Sequence, residues 1–573
     1  MAQSSETPYV QPSVGGVDGV GRKVFFIGIL AVFLLINVIV LYSLHFTSAG
    51  VPASASNVKV SSDALKSAGS LDNKAVSFAD DGSIVVGAGT TGYLDAVTFP
   101  AEEVSYITLA PIATNASSTA ILTYYLKNKT TSVITTVTVN ADKTTTVNSK
   151  SSTAANVQVR GIATLSNTQA VFLQSTSMGS TSLVPGTIAN GAVSYDADKA
   201  VQIATGSVSN TLTALSATTF AATTFQPYSE NSTYYQVIQA GSVAADGAIS
   251  VVSPLKIGTG NSKLQSVTNS APQPVPAIPN GFIVTWFATS SDPNATSASG
   301  LCVLLANING TEVGKIQETC NTQFQPQYFV SSTTVSKSVV ALSFYDAKNN
   351  NALTLLMVEV NPFTKNIFFR GSYVLTGVAG PFDFGSYYSF YPTPNVQAIS
   401  PSKLAVAFLN PNNQGRPTTQ VFQVSDALNL APISPLMRLS NGDFTLAGTQ
   451  ATKTSASVSL SIVPTSSSSY LAAYSGSLAG VSHKRVSLVE FKGKPIGVGS
   501  GSDELVMSGV VSVGDGYVAG KEYFATTQGN ILAATATDEG ADYYFVGNTT
   551  IVSKDSRVGV AVSSKKLYLS GNL

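Results

Sequence analysis

The chain has 573 residues, of which only 11% are charged, and its 31 basic and 31 acidic side chains cancel. Typical soluble domains carry roughly 25% charged residues. Because binding to phosphates requires clustered Lys and Arg, this composition argues against a nucleic-acid partner. Two cysteines and two histidines argue equally against zinc sites and His-based triads. We predict no catalytic residue, no cofactor and no metal site.

The first predicted element is an apolar segment at residues 24–44, VFFIGILAVFLLINVIVLYSL, which contains no charged side chain. It is long enough to cross a hydrocarbon core of roughly 30 Å as one helix. Arg22 and Lys23 precede it, and no Lys or Arg follows until Lys59. The positive-inside rule therefore predicts a single-pass anchor in the plasma membrane or another membrane of the secretory pathway, with a cytosolic N-terminus. The alternative is a signal peptide cleaved near residues 49–55, although such apolar regions usually run about 7–15 residues.

The segments around this helix predict the domain organisation. Residues 1–23 are typical of a disordered cytoplasmic tail. Residues 45–74 are rich in Gly, Ser and Ala and predict a flexible stalk. Residues 75–573 then form an extracellular or lumenal domain. Asn-x-Ser/Thr sequons agree with export and predict glycosylation at some of six positions, Asn115, Asn128, Asn231, Asn294, Asn309 and Asn548.

One phrase recurs from residue 75 onward, as in VQAISPSKLAVAFLN at residues 396–410. An apolar run is followed by a Ser-centred polar turn and a second apolar run, which predicts a β-hairpin with one buried face. Gaps of roughly 45–70 residues between successive phrases are typical of repeat architectures. Shorter strand-like runs between them give about four strands per repeat. The second runs are centred near Ile121, Val171, Ala222, Val284, Val340, Val406, Ala472, Val518 and Leu567.

Four antiparallel strands per repeat resemble the blades of β-propeller proteins, although no motif of a named propeller family is present. Radial packing of such sheets buries their faces and protects their edges. The resemblance implies an all-β fold: one propeller of seven or eight four-stranded blades after the single transmembrane helix. Segments 75–89 and 557–570 are our candidates for completing one blade from both chain ends. Tandem β-sandwiches and a β-solenoid are the alternative folds.

Cys302 and Cys320 flank the turn pair Asn309-Gly310. A hairpin at this turn brings the two cysteines onto neighbouring strands. An oxidising compartment then favours a disulfide. Two buried free thiols are the alternative.

Three further stretches are candidates for binding. Residues 196–200, DADKA, approach the D-x-D-x-D-G calcium loop of some propeller blades but lack its third Asp and its Gly. His483, Lys484 and Arg485 form a dense basic spot, which suits a small anion or a solvated loop. Residues 380–394 contain many aromatic side chains in one segment that Gly and Pro residues interrupt. Such a segment suits either ligand binding or packing between sheets. These speculative ligand-binding aromatics are Phe382, Phe384, Tyr387, Tyr388, Phe390 and Tyr391.

Together these features favour a single-pass surface glycoprotein whose propeller ectodomain serves adhesion, ligand binding or extracellular assembly without catalysis. Its expected partners are the membrane, an extracellular protein or glycan, and other copies of itself. One alternative is a membrane-anchored enzyme acting on glycans, which requires two carboxylates converging near the propeller axis. Another is a structural subunit of a fibre or coat, which requires complementary patches on opposite faces.

Overall fold

The computed structural model describes residues 57–59, 71, 73–79, 83–100, 102–112, 118–176, 179–205, 210–227, 234–257, 270–288, 300–326, 330–375, 393–410, 416–439, 458–478, 481–499, 504–513, 515–537, 543–546 and 550–569. Across these ranges, no helix has both the length and the apolar character needed to span a bilayer. The predicted tail, membrane segment and most of the predicted stalk lie outside them and stay predictions.

The described chain is all-β apart from three single 3₁₀ turns at Ala197–Lys199, Ala347–Asn349 and Lys554–Ser556. It begins with four short strands, which are β1 Asn57–Lys59, β2 Ala75–Phe78, β3 Ile84–Val86 and β4 Thr90–Tyr93. The next strands form seven groups, called units 1 to 7. In each unit the first strand pairs with the second, the second with the third, and the third with the outer strand or strands, all antiparallel.

The strands of the units are as follows. Unit 1 has β5 Val104–Pro111, β6 Thr119–Leu126, β7 Thr131–Val139, β8 Thr145–Val147 and β9 Ser151–Ser152; unit 2 has β10 Val157–Thr164, β11 Gln169–Thr176, β12 Thr181–Ala189, β13 Ala192–Tyr195 and β14 Val201–Ala204; unit 3 has β15 Asn210–Ala214, β16 Thr219–Pro227, β17 Tyr234–Val243, β18 Ile249–Val251 and β19 Leu255–Ile257. Unit 4 has β20 Gln273–Pro274, β21 Gly281–Ala288, β22 Gly300–Asn309 and β23 Glu312–Asn321; unit 5 has β24 Ser331–Thr334, β25 Val339–Asp346, β26 Ala352–Val360 and β27 Ile367–Leu375; unit 6 has β28 Asn395–Ser400, β29 Lys403–Asn410, β30 Arg416–Val424, β31 Leu430–Pro432 and β32 Met437–Arg438; unit 7 has β33 Val458–Ser466, β34 Ser469–Leu478 and β35 Val481–Phe491.

The recurring polar turn joins the first and second strands of each unit. In unit 2 the hydroxyl of Ser166 accepts the N–H groups of Thr168 and Gln169, at 3.2 and 3.1 Å. The carbonyl of Thr168 then accepts the N–H of Ile188 on the third strand. This last bond recurs once in every unit of the described chain, so the turn fixes the register of three strands. The other pairs are Val139 to Ser118, Val243 to Thr218, Ile308 to Asn280, Val360 to Ser338, Val424 to Ser402 and Phe491 to Ser468.

The second strand of each unit is buried on both faces, so the prediction of one buried face is wrong. Residues 404–409 of β29, for example, are all fully buried. Each Val, Leu or Phe buried in this way contributes roughly 1.5–3 kcal/mol. The reason is that every sheet lies between two others, so both of its faces contact apolar neighbours.

The apolar clusters link the units in cyclic order. Phe172 packs against unit 1, and the next residue, Leu173, packs against unit 3. Adjacent residues on β11 therefore contact different neighbouring units. Two-unit clusters continue around the molecule, and the last joins unit 7 back to unit 1. This is the arrangement of β-propeller blades, and it confirms the predicted propeller-like, all-β class. Representative pairs are Ile121–Phe172, Leu173–Phe220, Ile238–Val284, Leu305–Leu342, Leu355–Val406, Ala407–Tyr470 and Leu471–Leu122.

Segments 75–89 and 557–570 do not complete a blade together. The outer strand of unit 7 is β4, which pairs with β35 on one side and with β43 on the other. Strands β2 and β3 belong to a separate sheet, in the order β1-β37-β36-β2-β3, while β44 and β45 belong to another, in the order β38-β45-β44-β39-β40. These two sheets share a core with residues of both chain ends and form an accessory module beside unit 7. Its further strands are β36 Gly497–Gly499, β37 Glu504–Val506, β38 Gly509–Ser512, β39 Glu522–Ala525, β40 Ile531–Ala533, β44 Arg557–Ser563 and β45 Lys566–Leu569. Three more strands, β41 Ala536–Thr537, β42 Tyr543–Phe545 and β43 Thr550–Ser553, extend the sheet of unit 7 beyond β4.

Candidate functional site

The first strands of the units, called inner strands, are β5, β10, β15, β20, β24, β28 and β33. Each has one edge that no strand of its own unit covers. Side chains of the neighbouring unit bond to backbone groups along this edge: Ser461 Oγ accepts the N–H of Leu109 at 3.0 Å, and Ser331 Oγ accepts that of Val396 at 3.1 Å. These side chains meet the hydrogen-bonding need that an exposed strand edge would leave open. Similar bonds join Thr164 to Pro111, Thr334 to Gln273, Thr333 to Ala398 and Asn395 to Ile462.

Two neighbouring inner strands carry a β-bulge near their first residues. In β5 the pairing register shifts between Ser105 and Thr108, and in β10 it shifts between Val159 and Gly161. The pairing skips Tyr106 and Ile107 in β5 and Arg160 in β10. Ile107 is buried, and Tyr106 and Arg160 are the displaced residues that lie outside the core. A bulge turns a side chain out of its regular direction, and bulges are frequent next to functional sites. Both side chains lie at the strand ends opposite the Ser-centred turns.

The two displaced side chains contact each other. The guanidinium carbon of Arg160 lies 4.7 Å from the centre of the Tyr106 ring, which is a cation–π geometry. Arg160 Nε also donates to the Ser175 hydroxyl at 3.2 Å. Tyr106 has a backbone φ of +52°, which is a strained conformation for a bulky residue and costs about 1–3 kcal/mol. The fold thus holds an exposed arginine in one orientation at the inner strands.

The charge of Arg160 distinguishes it from its surroundings. It is the only charged residue on the seven inner strands as bounded above, and no carboxylate pairs with it among the described residues. Arg370, on the outer strand β27, stacks on Phe368 at the same 4.7 Å but forms an ion pair with Glu359 at 2.7 Å. Arg160 therefore presents a positive charge that the described protein leaves available.

The two carboxylates required by the glycan-acting alternative are not on these strands, since none of the seven carries Asp or Glu. The described residues also contain no cluster of three His, Cys, Asp or Glu side chains that could hold a metal ion. Where the alternative concerns residues outside the described ranges, it stays a prediction.

The basic spot at 483–485 lies on β35 and is not a loop. Lys484 Nζ donates to the carbonyls of Pro100 and Glu102, at 2.7 and 2.5 Å. The buried guanidinium of Arg485 lies 2.8 Å from the Asp95 carboxylate. Burial lowers the pKa of Lys484, and the nearby Glu102 and Glu103 oppose that change. Both cations thus bind the segment that crosses from the outer strand of unit 7 to the inner strand of unit 1, at Asp95, Pro100 and Glu102.

A second set of charges lies at the other end of the same junction. Glu490 is largely buried on β35 and pairs with Lys143 of unit 1 at 2.5 Å. Its other oxygen accepts the hydroxyl of Thr527, from the accessory module, at 2.8 Å. One carboxylate therefore joins three parts of the molecule.

Among the sequence-predicted site residues, the cysteines are the ones that the structure brings together. Cys302 and Cys320 face each other on β22 and β23 and form a disulfide with an S–S distance of 2.03 Å. The hairpin loop is Gly310-Thr311, one residue later than predicted, because Asn309 pairs with Glu312. This confirms the predicted disulfide.

The remaining predicted sites stay predictions. Asn128 and Asn309 are exposed, as a glycan acceptor must be. The other four sequons lie outside the described residues. So do the six aromatic residues of 380–394 that we proposed as a ligand surface, between the end of β27 and the start of β28. Self-assembly is likewise untested.

No family model matches this chain, and no curated protein matches it. Several solved structures are similar in part. SapL1 lectin shares 9% identity over 58% of this chain and 98% of its own, with a TM-score of 0.35. The six-bladed lectin of Aleuria aurantia shares 8% over 60% and 100%, at 0.31, and Trypanosoma rangeli sialidase shares 8% over 77% and 60%, at 0.33. These values are too low to transfer a ligand or an activity.

Proposed function

We propose that the protein is a single-pass surface glycoprotein whose propeller ectodomain, of seven blades, binds a negatively charged extracellular ligand without converting it. The observation that carries the proposal is Arg160, the one charge on the inner strands. Units 1 to 7 are the proposed blades, and the cluster between Leu471 and Leu122 is the proposed closure of the ring.

The chemistry of Arg160 favours an anion with planar oxygens. A guanidinium binds carboxylates and sulfates through parallel hydrogen bonds. The Tyr106 ring covers one face of this guanidinium, and Ser175 holds Nε. The terminal nitrogens are the donors that such a ligand would use. Because the seven inner strands carry no other charged side chain, one ion pair would give the surface its selectivity.

A binding experiment with matched variants tests this proposal. Full-length protein in nanodiscs is incubated with a fluorescent carboxylated polysaccharide, alginate, and with neutral dextran. We expect alginate to bind, Arg160→Ala to weaken binding about tenfold and Arg160→Lys to restore it only partly, because an ammonium lacks the two-pronged geometry. Arg370→Ala is the control, since that arginine already has a carboxylate partner. Equal binding by the wild type and Arg160→Ala would contradict the proposal.

The membrane anchor is part of the same proposal. Residues 24–44 support it, as does the position of β1, the first described strand, at the edge of an accessory sheet where it pairs with β37. The chain thus leaves the head from the accessory module. Protease treatment of intact cells should remove the residues after Thr47 and spare an epitope tag at the N-terminus. Loss of the tag with retention of the head would reverse the proposed topology.

A further inference from the structure

A cleft lies between units 2 and 3, on the side of the Ser-centred turns and away from Arg160. Its volume is about 170 Å³, well above the roughly 10–15 Å³ that a cavity needs to hold one water molecule. The walls come from turns of both units. They are lined by Thr168, Gln169, Thr187, Asp196, Lys199 and Asp246, with the apolar Pro185 and Val243 beneath.

The DADKA segment builds one wall. Residues 196–200 interrupt the outer strand of unit 2 and divide it into β13 and β14. The N–H of Asp196 donates to the Pro185 carbonyl at 3.1 Å, and the 3₁₀ turn that follows closes with the N–H of Ala200 donating to Ala197. This break places Asp196 and Lys199 beside the turn of the next unit. The segment that resembled an incomplete calcium loop therefore has a different structural role.

The opposite wall is the turn between β17 and β18. Gly247 has a φ of +86°, and a Cβ there would lie 3.5 Å from Lys199 Nζ. Glycine suits both the backbone conformation and the open space. Two hydrogen bonds fix the walls relative to each other: Lys199 Nζ donates to the Asp246 carbonyl at 2.8 Å, and Gln169 Nε2 donates to Ala244 at 3.0 Å. The cleft is thus a built feature of the contact between two units.

The lining selects against a metal ion and against a strong anion. Lys199 Nζ lies 3.3 Å from the Asp196 carboxylate and donates to the backbone carbonyl of Asp246, so an ammonium already holds the place that a cation would take there. The Asp246 carboxylate accepts the N–H of Ala248 at 3.0 Å. With two carboxylates and one ammonium, the lining carries a net negative charge. What remains is a mixture of hydroxyl, amide and carboxylate groups over a small apolar floor.

From this lining we infer that the cleft binds a neutral polyhydroxylated ligand about the size of one monosaccharide. Hydroxyl groups both donate and accept hydrogen bonds, which matches the alternating donors and acceptors of Gln169, Lys199 and Asp196. The C–H face of such a ligand would lie over Pro185 and Val243. This site is independent of the anion site proposed at Arg160, because the two are formed by different elements.

Saturation-transfer NMR on the full-length protein in nanodiscs tests the inference with glucose, galactose, mannose and xylose. We expect transfer to at least one of them. Thr168→Trp should abolish it by filling the cleft, and Lys199→Ala should weaken it about tenfold. Thr218→Trp is the matched control, because Thr218 occupies the same turn position in unit 3 but does not line the cleft.

Two further measurements make the result decisive. The signal should persist in Arg160→Ala, which separates this site from the anion site. The melting temperatures of Thr168→Trp and Thr218→Trp should agree, and Lys199→Ala gives a second test if Thr168→Trp fails to fold. Absence of transfer to all four sugars, or equal transfer in wild type and in both lining variants, would overturn the inference.

Discussion

The junction between units 7 and 1 differs in chemistry from the junctions between consecutive units. Consecutive inner strands are linked by neutral side chains, as between Ser331 and Val396, which are 65 residues apart. The closing junction has such a bond too, but Ser461 and Leu109 are 352 residues apart. It adds ion pairs on both sides, at Glu490 and at Arg485.

The difference follows from chain connectivity. The entropy lost when a loop closes grows with the logarithm of its length, so bringing together residues 352 rather than 65 apart costs about 1.5 kcal/mol more. Consecutive units are tethered by the chain, and neutral bonds with apolar packing hold their inner strands together. The closing units need additional interactions, and two of the five buried charged side chains of the described residues, Arg485 and Glu490, lie there.

The largest loss of folding stability is expected from Glu490→Ala. Removing a buried carboxylate leaves Lys143 without its partner and Thr527 without its acceptor, which should cost roughly 3 kcal/mol or more. Urea unfolding measures the loss. Glu359→Ala removes a partly exposed carboxylate from unit 5, away from the closing junction, and should cost under about 1 kcal/mol. Similar losses in the two variants would remove the distinction between the junctions.

A smaller loss of stability is expected when a serine hydroxyl between two inner strands is removed. It should occur at both kinds of junction. Ser461→Ala leaves the Leu109 N–H without its acceptor, and Ser331→Ala does the same to Val396. An unpaired backbone group that is shielded from water costs roughly 1–3 kcal/mol. We expect both variants to lose stability within this range, near its lower end. If Ser461→Ala unfolds at the same urea concentration as the wild type, its hydroxyl does not contribute to closure.

The smallest expected effect is a loss of stability at alkaline pH that Tyr93, at the closing junction, causes. Burial raises the pKa of Tyr93 to about 12; the Thr527 hydroxyl opposes this change and Glu490 adds to it. Since the folded-state pKa is raised, the stabilisation is complete below the unfolded value of about 10 and is lost as the pH rises from there toward 12. Tyr93→Phe should therefore lose less stability over this interval, by roughly 2–4 °C in melting temperature. Parallel pH profiles for the two proteins would contradict the buried environment of Tyr93.

Much of the repeat was predictable from the sequence. Ile121, Val171, Ala222, Val284, Val340, Val406 and Ala472 are all fully buried on the second strands of units 1 to 7. A run of four or more apolar residues beside a Ser-centred turn is a strong local signal, because the turn bonds are local. Val518 was wrong: it is 51% exposed and lies outside any strand. The apolar residues around Val518 match the repeat pattern, but no second strand forms there.

The closure and the candidate sites were not predictable. Strand β4 is only Thr90–Tyr93, too short and too polar for a pattern to identify it as the outer strand of unit 7. Tyr106 and Arg160 meet because two inner strands each gain a one-residue bulge, and a register shift leaves no periodic trace in the chain. The cleft at Lys199 depends on how two units pack. All three features arise from contacts between segments distant in sequence.

Electron microscopy of the full-length protein in nanodiscs tests the central claim most directly, by viewing the head along its axis. We predict class averages showing a closed ring of seven lobes with one additional density beside a single lobe, the accessory module. An open arc, or a ring with six or eight lobes, would contradict closure between unit 7 and unit 1.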